Sequence, residues 1–391
     1  MRPTLIVFLK EVRENLRDRR AVINTLFTGP LMAPLIFVLL VNTLVTRELE
    51  RAEKPLPLPI VGAEYAPNLV AALKQRNIEI KPAPADPERA VREQDADVVL
   101  RITPEFPASW KKGEPAQVEI VYDESQRDTG SSVARLRAIL ENESERAGAL
   151  RLLARGLSPS TTRPIVIADR DQSTPQSRST SLFAMLPYFF ILGGFIGGMA
   201  LAIDTTAGER ERQSLEPLLA NPVPRWQILA GKLSATTAFA ITTVLLGILA
   251  FAVIGHLMPT EKIGMSLEIG VRFVACTLFV MLPLAALLAA IQTLVAAFAK
   301  SYREAQTYVS LLTFLPVIPT LLLTVMPFKA QLWMYCVPLM SQQMIITRLL
   351  RGEAVPDMGL VLAFICTTLA AVLAAAVTAR IYRSEKLAIS A

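Results

Sequence analysis

Six long apolar stretches, each almost free of charge, dominate the pattern of hydrophobic and polar positions along the chain. A helix that crosses a hydrocarbon core of about 30 Å needs roughly 20 mostly apolar residues, and each stretch reaches that length. The pattern therefore predicts an α-helical polytopic membrane protein with about six transmembrane helices. The predicted spans are Ala21–Val45, Ser181–Ile203, Ile228–Ile254, Val271–Ala299, Thr307–Pro327 and Gly359–Ala379.

Residues 46–180, between the first two spans, have the composition of a water-soluble domain. Short β-type runs such as Leu58–Val61 alternate with helical patterns at Pro67–Gln75 and Gly130–Leu153. The sequence therefore predicts an α/β domain that is inserted between the first and second spans. The remaining spans predict a helix bundle over residues 181–380.

The charge distribution predicts the orientation of the chain in the membrane. The protein is 52% hydrophobic with a mean hydropathy of +0.42, and its net charge of +6 comes from Lys and Arg residues that lie mainly beside apolar runs. Four arginines at positions 13, 17, 19 and 20 precede the first span, which by the positive-inside rule puts the N-terminus in the cytoplasm. We therefore expect an amphipathic cytoplasmic segment at 1–20, an uncleaved anchor at 21–45, an extracytoplasmic domain at 46–180 and a cytoplasmic tail at 381–391, in a multi-pass protein of the inner (plasma) membrane. Nucleic-acid binding is not expected.

One basic segment does not follow this rule. Lys329, Arg348 and Arg351 lie between the fifth and sixth spans, on the predicted outer side. The apolar run Leu339–Leu350 is interrupted by polar residues, which predicts a short interfacial or re-entrant helix and fits lying on the membrane better than crossing it. The topology between these two spans stays open.

The inventory of reactive residues argues against an enzyme. His256 is the only histidine, so no HExxH or two-histidine metal site is expected. Lys232 follows Gly231 but lacks the earlier glycine and the Ser/Thr of a phosphate-binding P-loop. We expect no catalytic residues, no metal and no cofactor bound by this chain.

The predicted cytoplasmic segment between the second and third spans, Asp204–Lys232, mixes charges with leucines. Its charged residues open a predicted amphipathic helix near 208–220, which Pro222 and Pro224 end. One interpretation is a solvated loop with a few salt bridges. The other is a docking helix, whose charges set the register and whose leucines enter a groove of a soluble partner.

A resemblance favours the docking interpretation. The stretch GERERQSLEPLLANPVPRWQILAGK resembles a motif of the ABC-2 type permeases, in the sodium-efflux NatB-like group. The similarity extends over most of the chain, and SYREAQTY at Ser301–Tyr308 also resembles a segment before the fifth span in these proteins. The resemblance implies a separate ATPase subunit, which binds ATP and Mg and contacts the cytoplasmic helix, and a second permease copy in a homodimer or heterodimer. Gln213 stands where many relatives have Gly. The residues that the resemblance assigns to ATPase coupling are Glu209, Arg210, Glu211, Arg212, Leu215, Glu216, Leu218 and Leu219.

Few polar residues lie inside the predicted spans, where a charge costs about 2.5 to 3.5 kcal/mol on insertion scales. Asp204 and Gln292 are the candidate pathway residues, although a helix–helix hydrogen bond is the favoured role for Gln292. Without a series of intramembrane acids, an ion-coupled secondary carrier is disfavoured. Four glycines on the second span form overlapping GxxxG patterns and predict close helix packing, either within the chain or with a second copy. They are Gly193, Gly194, Gly197 and Gly198.

These observations predict the permease subunit of an ATP-driven exporter in the lipid membrane, with efflux of sodium or of a small molecule such as a drug. The alternative is a membrane-anchored extracytoplasmic binding or assembly protein without transport activity, which would need no ATPase.

Overall fold

A computed structural model describes residues 2–23, 26, 29–125, 129–162, 170, 173–177, 183–257, 269–325 and 330–383. The chain divides into two compact units. The first consists of Met1–Val45 and Gln172–Ala391, and the second of Thr46–Asp171. The sequence placed the inserted domain at 46–180. Most of the predicted tail 381–391, including Lys386, lies outside the described residues, as does Lys329.

The N-terminal part of the chain is helical. Helix α1 (Pro3–Arg17) is amphipathic and is followed by the single turn α2 (Arg19–Val22). Helix α3 (Gly29–Glu53) holds residues 29–45 of the first predicted span, part of which lies outside the described residues.

The elements of the second unit are β1 (Leu56–Val61), α4 (Pro67–Gln75), β2 (Ile78–Lys81), α5 (Pro87–Arg92), β3 (Val98–Ile102), α6 (Phe106–Lys112), β4 (Val118–Tyr122) and α7 (Thr129–Ala154). The four strands form a sheet with the order β2-β1-β3-β4, in which only β4 is antiparallel to its neighbour. Leu58, Leu73, Leu100 and Leu136 are fully buried in the core of this unit, which places α4 and α7 against the sheet. Asp86 caps α5 by accepting a hydrogen bond from the Arg89 N–H at 3.0 Å.

The rest of the first unit is a helix bundle. Its helices are α8 (Leu186–Ile203), α9 (Glu209–Glu211), α10 (Leu215–Leu219), α11 (Arg225–Leu257), α12 (Val271–Phe298), α13 (Tyr302–Leu311), α14 (Val317–Val325), α15 (Met340–Leu350) and α16 (Asp357–Arg383). The main contacts of the bundle are those among α8, α11, α12 and α16. A π-helical segment, Asp204–Gly208, follows α8.

Five helical stretches within the described residues are long and apolar enough to cross a membrane. They overlap the second to sixth predicted spans, which is consistent with a multi-pass membrane protein. The first predicted span is represented by the shorter apolar helix Pro34–Arg47. The five stretches are Leu186–Glu211, Arg225–Val253, Val271–Phe298, Tyr302–Leu323 and Asp357–Tyr382.

Two details of the last spans differ from regular helices. The fifth span is interrupted between α13 and α14, where Pro316 has no N–H to continue the helical ladder. Helix α15 lies where the short interfacial or re-entrant helix was predicted, but it is buried: Gln342 is fully buried and bonds to the Val280 carbonyl and to Thr367. A helix with this many buried polar groups is surrounded by protein, because lipid offers them no hydrogen bonds.

Candidate functional site

The candidate site is built where α8 passes into the motif segment. At Asp204–Gly208 the helix widens to a π-helix, which breaks the regular α-helical hydrogen bonding. The hydroxyls of Thr205 and Thr206 donate to the carbonyls of Leu201 and Ala202, both at 2.8 Å. The carbonyl of Thr205 instead accepts a hydrogen bond from another helix, at 2.6 Å from the Lys232 Nζ.

Lys232 and Glu209 form a buried ion pair. The Lys232 side chain is 1% exposed and the Glu209 side chain 7%, and the Lys232 Nζ donates to the Glu209 Oε2. Charges at this depth need a partner, because moving one of them out of water without compensation costs several kcal/mol. The pair therefore ties α9 to α11 across 23 residues of sequence.

Helix α1 adds a second cation and a second acid to this pair. The Lys10 Nζ lies 3.2 Å from the Glu209 Oε1 and 3.1 Å from the Glu11 Oε1. Burial raises the pKa of the Glu11 carboxyl above its usual range, and Lys232 and Lys10 offset only part of this effect. Burial lowers the pKa of Lys10, but Glu209 and Glu11 outweigh it and raise that pKa overall. We call Lys10, Glu11, Glu209 and Lys232 the charge cluster.

A glycine allows α1 to come close enough for these contacts. A Cβ atom on Gly231 would lie 2.7 Å from the Val7 Cβ and 2.8 Å from the Thr4 carbonyl oxygen. Both distances are too short for a real Cβ, and one obstacle is backbone that cannot turn aside. Gly231 and Lys232 are therefore adjacent parts of one contact, in which the glycine admits α1 and the lysine supplies the charge.

The next two residues of the motif bind the ends of two consecutive helices. The Arg210 guanidinium donates to the carbonyls of Ala297 and Ala299, at 3.4 and 3.2 Å, where α12 ends. The Glu211 Oε2 accepts from the Tyr302 N–H at 2.7 Å, where α13 begins. Each charge matches the helix dipole at its end, with a cation at the C-terminus and an anion at the N-terminus.

Arg212 completes the set by binding back onto the π-helical segment. Its Nη2 lies 2.7 Å from the Asp204 Oδ1. A Cβ on Gly208 would lie 2.9 Å from that same oxygen, so the pair passes over the glycine. Asp204, predicted as a pathway residue, is half-exposed and belongs to this pair.

The structure corrects the prediction of one continuous amphipathic helix near 208–220. Glu209–Glu211 continues the second span, and a separate short helix, Leu215–Leu219, carries the leucines. The helix is interrupted at Gln213, whose φ of +55° lies in the left-handed region. This conformation costs a residue with a Cβ about 1 to 2 kcal/mol, a cost that glycine avoids. Leu215 is buried and Leu218 half-buried; the side chains of Glu216 and Leu219 lie outside the described set.

A cavity of about 740 Å³ opens beside the charge cluster. Helix α1, the π-helical segment and α10 form its walls, with Leu218 and Asn221 among the lining residues. Carboxylates outnumber cations in this lining, which makes the cavity acidic. Its charged residues are Lys10, Glu11, Glu14, Asp18, Asp204, Glu209 and Arg212.

The remaining predicted residues lie deeper in the bundle. Three of the four glycines of α8 face other helices of this chain: a Cβ on Gly197 would lie 2.4 Å from the Thr243 Oγ1, and Gly194 and Gly198 are also closely packed. Gly193, by contrast, meets no atom of the described structure within 4 Å. Gln292 donates from Nε2 to the Phe195 carbonyl at 2.8 Å, which is a helix–helix hydrogen bond.

Sequence reasoning missed four residues of the site: Lys10, Glu11, Gly231 and Lys232. One signal was present, because Lys232 falls inside the predicted span Ile228–Ile254, where a charge requires a partner. The sequence did not indicate which residue that partner is.

Two comparisons with known proteins extend over most of the chain. The sequence model of the family described as "ABC-2 family transporter protein" matches residues 25–379. The chain is also 25% identical, over 356 residues that cover 90% of each protein, to the "ABC transporter permease protein NatB" of Bacillus subtilis (strain 168). These matches confirm the resemblance to NatB-like ABC-2 permeases that the sequence motif indicated.

Proposed function

Because this chain belongs to the ABC-2 family of transporter proteins, we propose that it is the membrane-spanning permease subunit of an ATP-driven exporter and that the charge cluster couples it to a separate ATPase. The single observation that carries the coupling proposal is the internal use of the motif. Glu209, Arg210, Glu211 and Arg212 each bind a different part of the bundle. A displacement of Glu209–Arg212 would therefore move or strain its contacts with α1, α11, α12 and α13 together.

The proposed contact with the ATPase lies on the exposed part of the same segment. Pro217 and Asn221 are exposed and line the acidic cavity together with Leu218. Since carboxylates outnumber cations there, the complementary ATPase surface carries basic side chains around an apolar contact. Docking is thus assigned to Pro217, Leu218 and Asn221, and transmission to the charge cluster, in which Glu11, Glu209 and Lys232 are buried.

ATP acts on this permease through population shift. Binding of ATP and Mg at the partner subunit favours one conformation only by the difference in its interaction free energy with the two states. The charge cluster is the element that transmits this difference to the spans, because its ion pairs join α1, α9 and α11. The chain itself contributes no step of ATP hydrolysis.

Substrate, assembly and location complete the proposal. The exported substrate is sodium or a small molecule such as a drug, and two permease copies, identical or different, form the path. Exposed apolar side chains on α3 and α14, including Leu39 and Ile318, support contacts with lipid and a second copy. The protein lies in the inner (plasma) membrane with both termini in the cytoplasm and the α/β domain outside. Flux of radioactive sodium from proteoliposomes with and without ATP distinguishes the two substrate classes.

The coupling proposal is tested by co-purification in mild detergent followed by reconstitution. The docking variants Glu14→Lys and Leu218→Lys should lose the ABC ATPase that wild type retains, whereas Lys232→Met should retain it but lose stimulation of ATP hydrolysis by the permease. Glu353→Lys, an exposed change outside the cavity, should behave as wild type. Failure of wild type to retain an ABC ATPase, under conditions that preserve a control ABC complex, would contradict the proposal.

A further inference from the structure

The α/β domain contains a groove at the position where open α/β sheets bind ligands. The chain leaves β1 for β2 on one side, while β3 lies on the other side of β1, so the direction of winding reverses between β1 and β3. Ligands of such sheets bind in the crevice outside the carboxyl ends of the strands at this point. The groove is lined by residues that follow both strands, Glu64–Leu69 after β1 and Phe106, Pro107 and Trp110 after β3.

A glycine allows the ends of β1 and β3 to come close together. Gly62 follows β1 with a φ of +77°, and a Cβ there would lie 2.4 Å from the Ile102 carbonyl oxygen, at the end of β3. Only glycine allows both the left-handed conformation and this approach. The loops that follow β1 and β3 therefore leave the sheet from adjacent points.

The inner wall of the groove is aromatic and rigid. The rings of Phe106 and Trp110 stack with centroids 5.7 Å apart and an interplanar angle of 11°. The Arg151 guanidinium lies 4.3 Å over the Trp110 ring and donates to the Trp110 carbonyl at 3.1 Å, which holds α6 against α7. Trp110 nevertheless stays 44% exposed, so part of this aromatic wall is available to a ligand.

The volume and the lining indicate the class of ligand. The groove encloses about 1000 Å³, at the upper end of the range for small-molecule sites. Leu69, Leu140 and Leu150 extend the apolar wall, while exposed charges of both signs, among them Glu64 and Lys111, lie where the groove meets solvent. An apolar body surrounded by mixed charge matches an amphipathic organic molecule, not an inorganic ion.

We propose that this groove binds an amphipathic small molecule, with its apolar part on the Phe106–Trp110 stack and its polar group among the exposed charges. The site is separate from the charge cluster, and the inference does not depend on ATPase coupling.

Trp110 gives a direct readout, because the other two tryptophans, Trp226 and Trp333, can be replaced by Phe. The full-length chain in phosphatidylcholine nanodiscs is titrated with dibrominated dodecyl maltoside below its micelle concentration, since bromine quenches tryptophan only at close range. We expect saturable quenching of Trp110 that unbrominated dodecyl maltoside reverses by competition.

Two neighbouring alanines of α7 provide a matched pair of variants. Ala147 lines the groove and Ala149 does not, although both are half-buried. Ala147→Phe fills the groove and should weaken binding by about tenfold, while Ala149→Phe should stay within about twofold of wild type. Leu150→Asp, at a 60% exposed lining position, tests the same wall without a change in the core.

Quenching that rises linearly with probe, or that is equal in wild type, Ala147→Phe and Leu150→Asp, would mean partition into the bilayer and would overturn the proposal. Saturable quenching that is lost in these two variants and kept in Ala149→Phe would support it.

Discussion

Breaking the buried ion pair of Glu209 and Lys232 should destabilise the bundle far more than breaking an exposed pair. Removal of one partner leaves the other charge buried without compensation, which costs about 3 to 5 kcal/mol. Lys232→Met leaves Glu209 with Lys10, 3.2 Å away but 38% exposed, so we expect a loss near the lower limit. Glu209→Gln removes the carboxylate to which the 1% exposed Lys232 donates and leaves it the Thr205 carbonyl and the nearby charge of Glu11, so we expect a loss of similar size.

The double variant separates the pair interaction from other effects. Glu209→Gln/Lys232→Met leaves neither of these two charges, so it should cost less than the sum of the single variants by about 2 kcal/mol. Arg351→Met is the control, because Arg351 and Glu353 lie 3.7 Å apart with both side chains about half exposed. Such a pair contributes about 0 to 1 kcal/mol.

Reversible unfolding of the purified chain by sodium dodecyl sulfate, followed by circular dichroism, gives the four free energies of the cycle. Two results would refute the reasoning. One is additivity of the two single variants, which would mean that the charges do not stabilise each other. The other is an Arg351→Met effect as large as that of Lys232→Met, which would mean that burial does not decide the cost.

Three further changes test other parts of the site. Gly231→Ala should displace α1 and cost about 1 to 3 kcal/mol of stability by overpacking. Gly247→Ala on the same helix, where a Cβ meets no described atom within 4 Å, should be close to neutral, and thermal unfolding compares the two variants. Gln213→Gly should raise stability by up to about 1 kcal/mol and Gln213→Val should lower it, because of the positive φ; no difference between these variants in the thermal midpoint would contradict this reason. Because the pKa of Glu11 is raised in the folded protein, its contribution to stability is fully present below the usual glutamate pKa and is lost as the pH rises through the raised pKa. Glu11→Gln should therefore lose less stability than wild type over this pH interval. Unfolding of the two proteins at a series of pH values compares them.

Five of the six predicted spans correspond to long apolar helical stretches of the described structure, whereas much of the site was not predicted, because the spans follow from local sequence and the site from contacts between distant residues. A stretch such as Val271–Phe298 is defined by length and composition alone, because the bilayer fixes both. The contact of Lys10 with Glu209 joins residues 199 positions apart, and no local pattern encodes it. The motif did identify Glu209 to Arg212, but as an outward docking face, whereas the structure turns their side chains to other parts of the bundle. The roles of these residues in ATPase coupling stay predictions.

Local backbone geometry was the second reason why parts of the site could not be predicted from the sequence. The π-helical turn at Asp204–Gly208 has no sequence signature, yet it exposes the Thr205 carbonyl to Lys232. The break at Gln213 could not be predicted, because glutamine does not signal a residue in the left-handed conformation. In the groove of the α/β domain, the sequence predicted several of the strands and helices but not their order in the sheet, from which the site follows.

The contacts of Arg210 and Glu211 depend on the order of these two residues in the sequence. The C-terminus of a helix has carbonyl groups without an intrahelical partner, and the N-terminus of the next helix has N–H groups without one. The turn between α12 and α13 therefore presents first partial negative charge and then partial positive charge. The arginine faces the first end and the glutamate the second. Exchange of these two residues would preserve composition and net charge, yet would place like against like at both ends. In this segment the order of Arg210 and Glu211, and not only their presence, determines whether each charge is favourable.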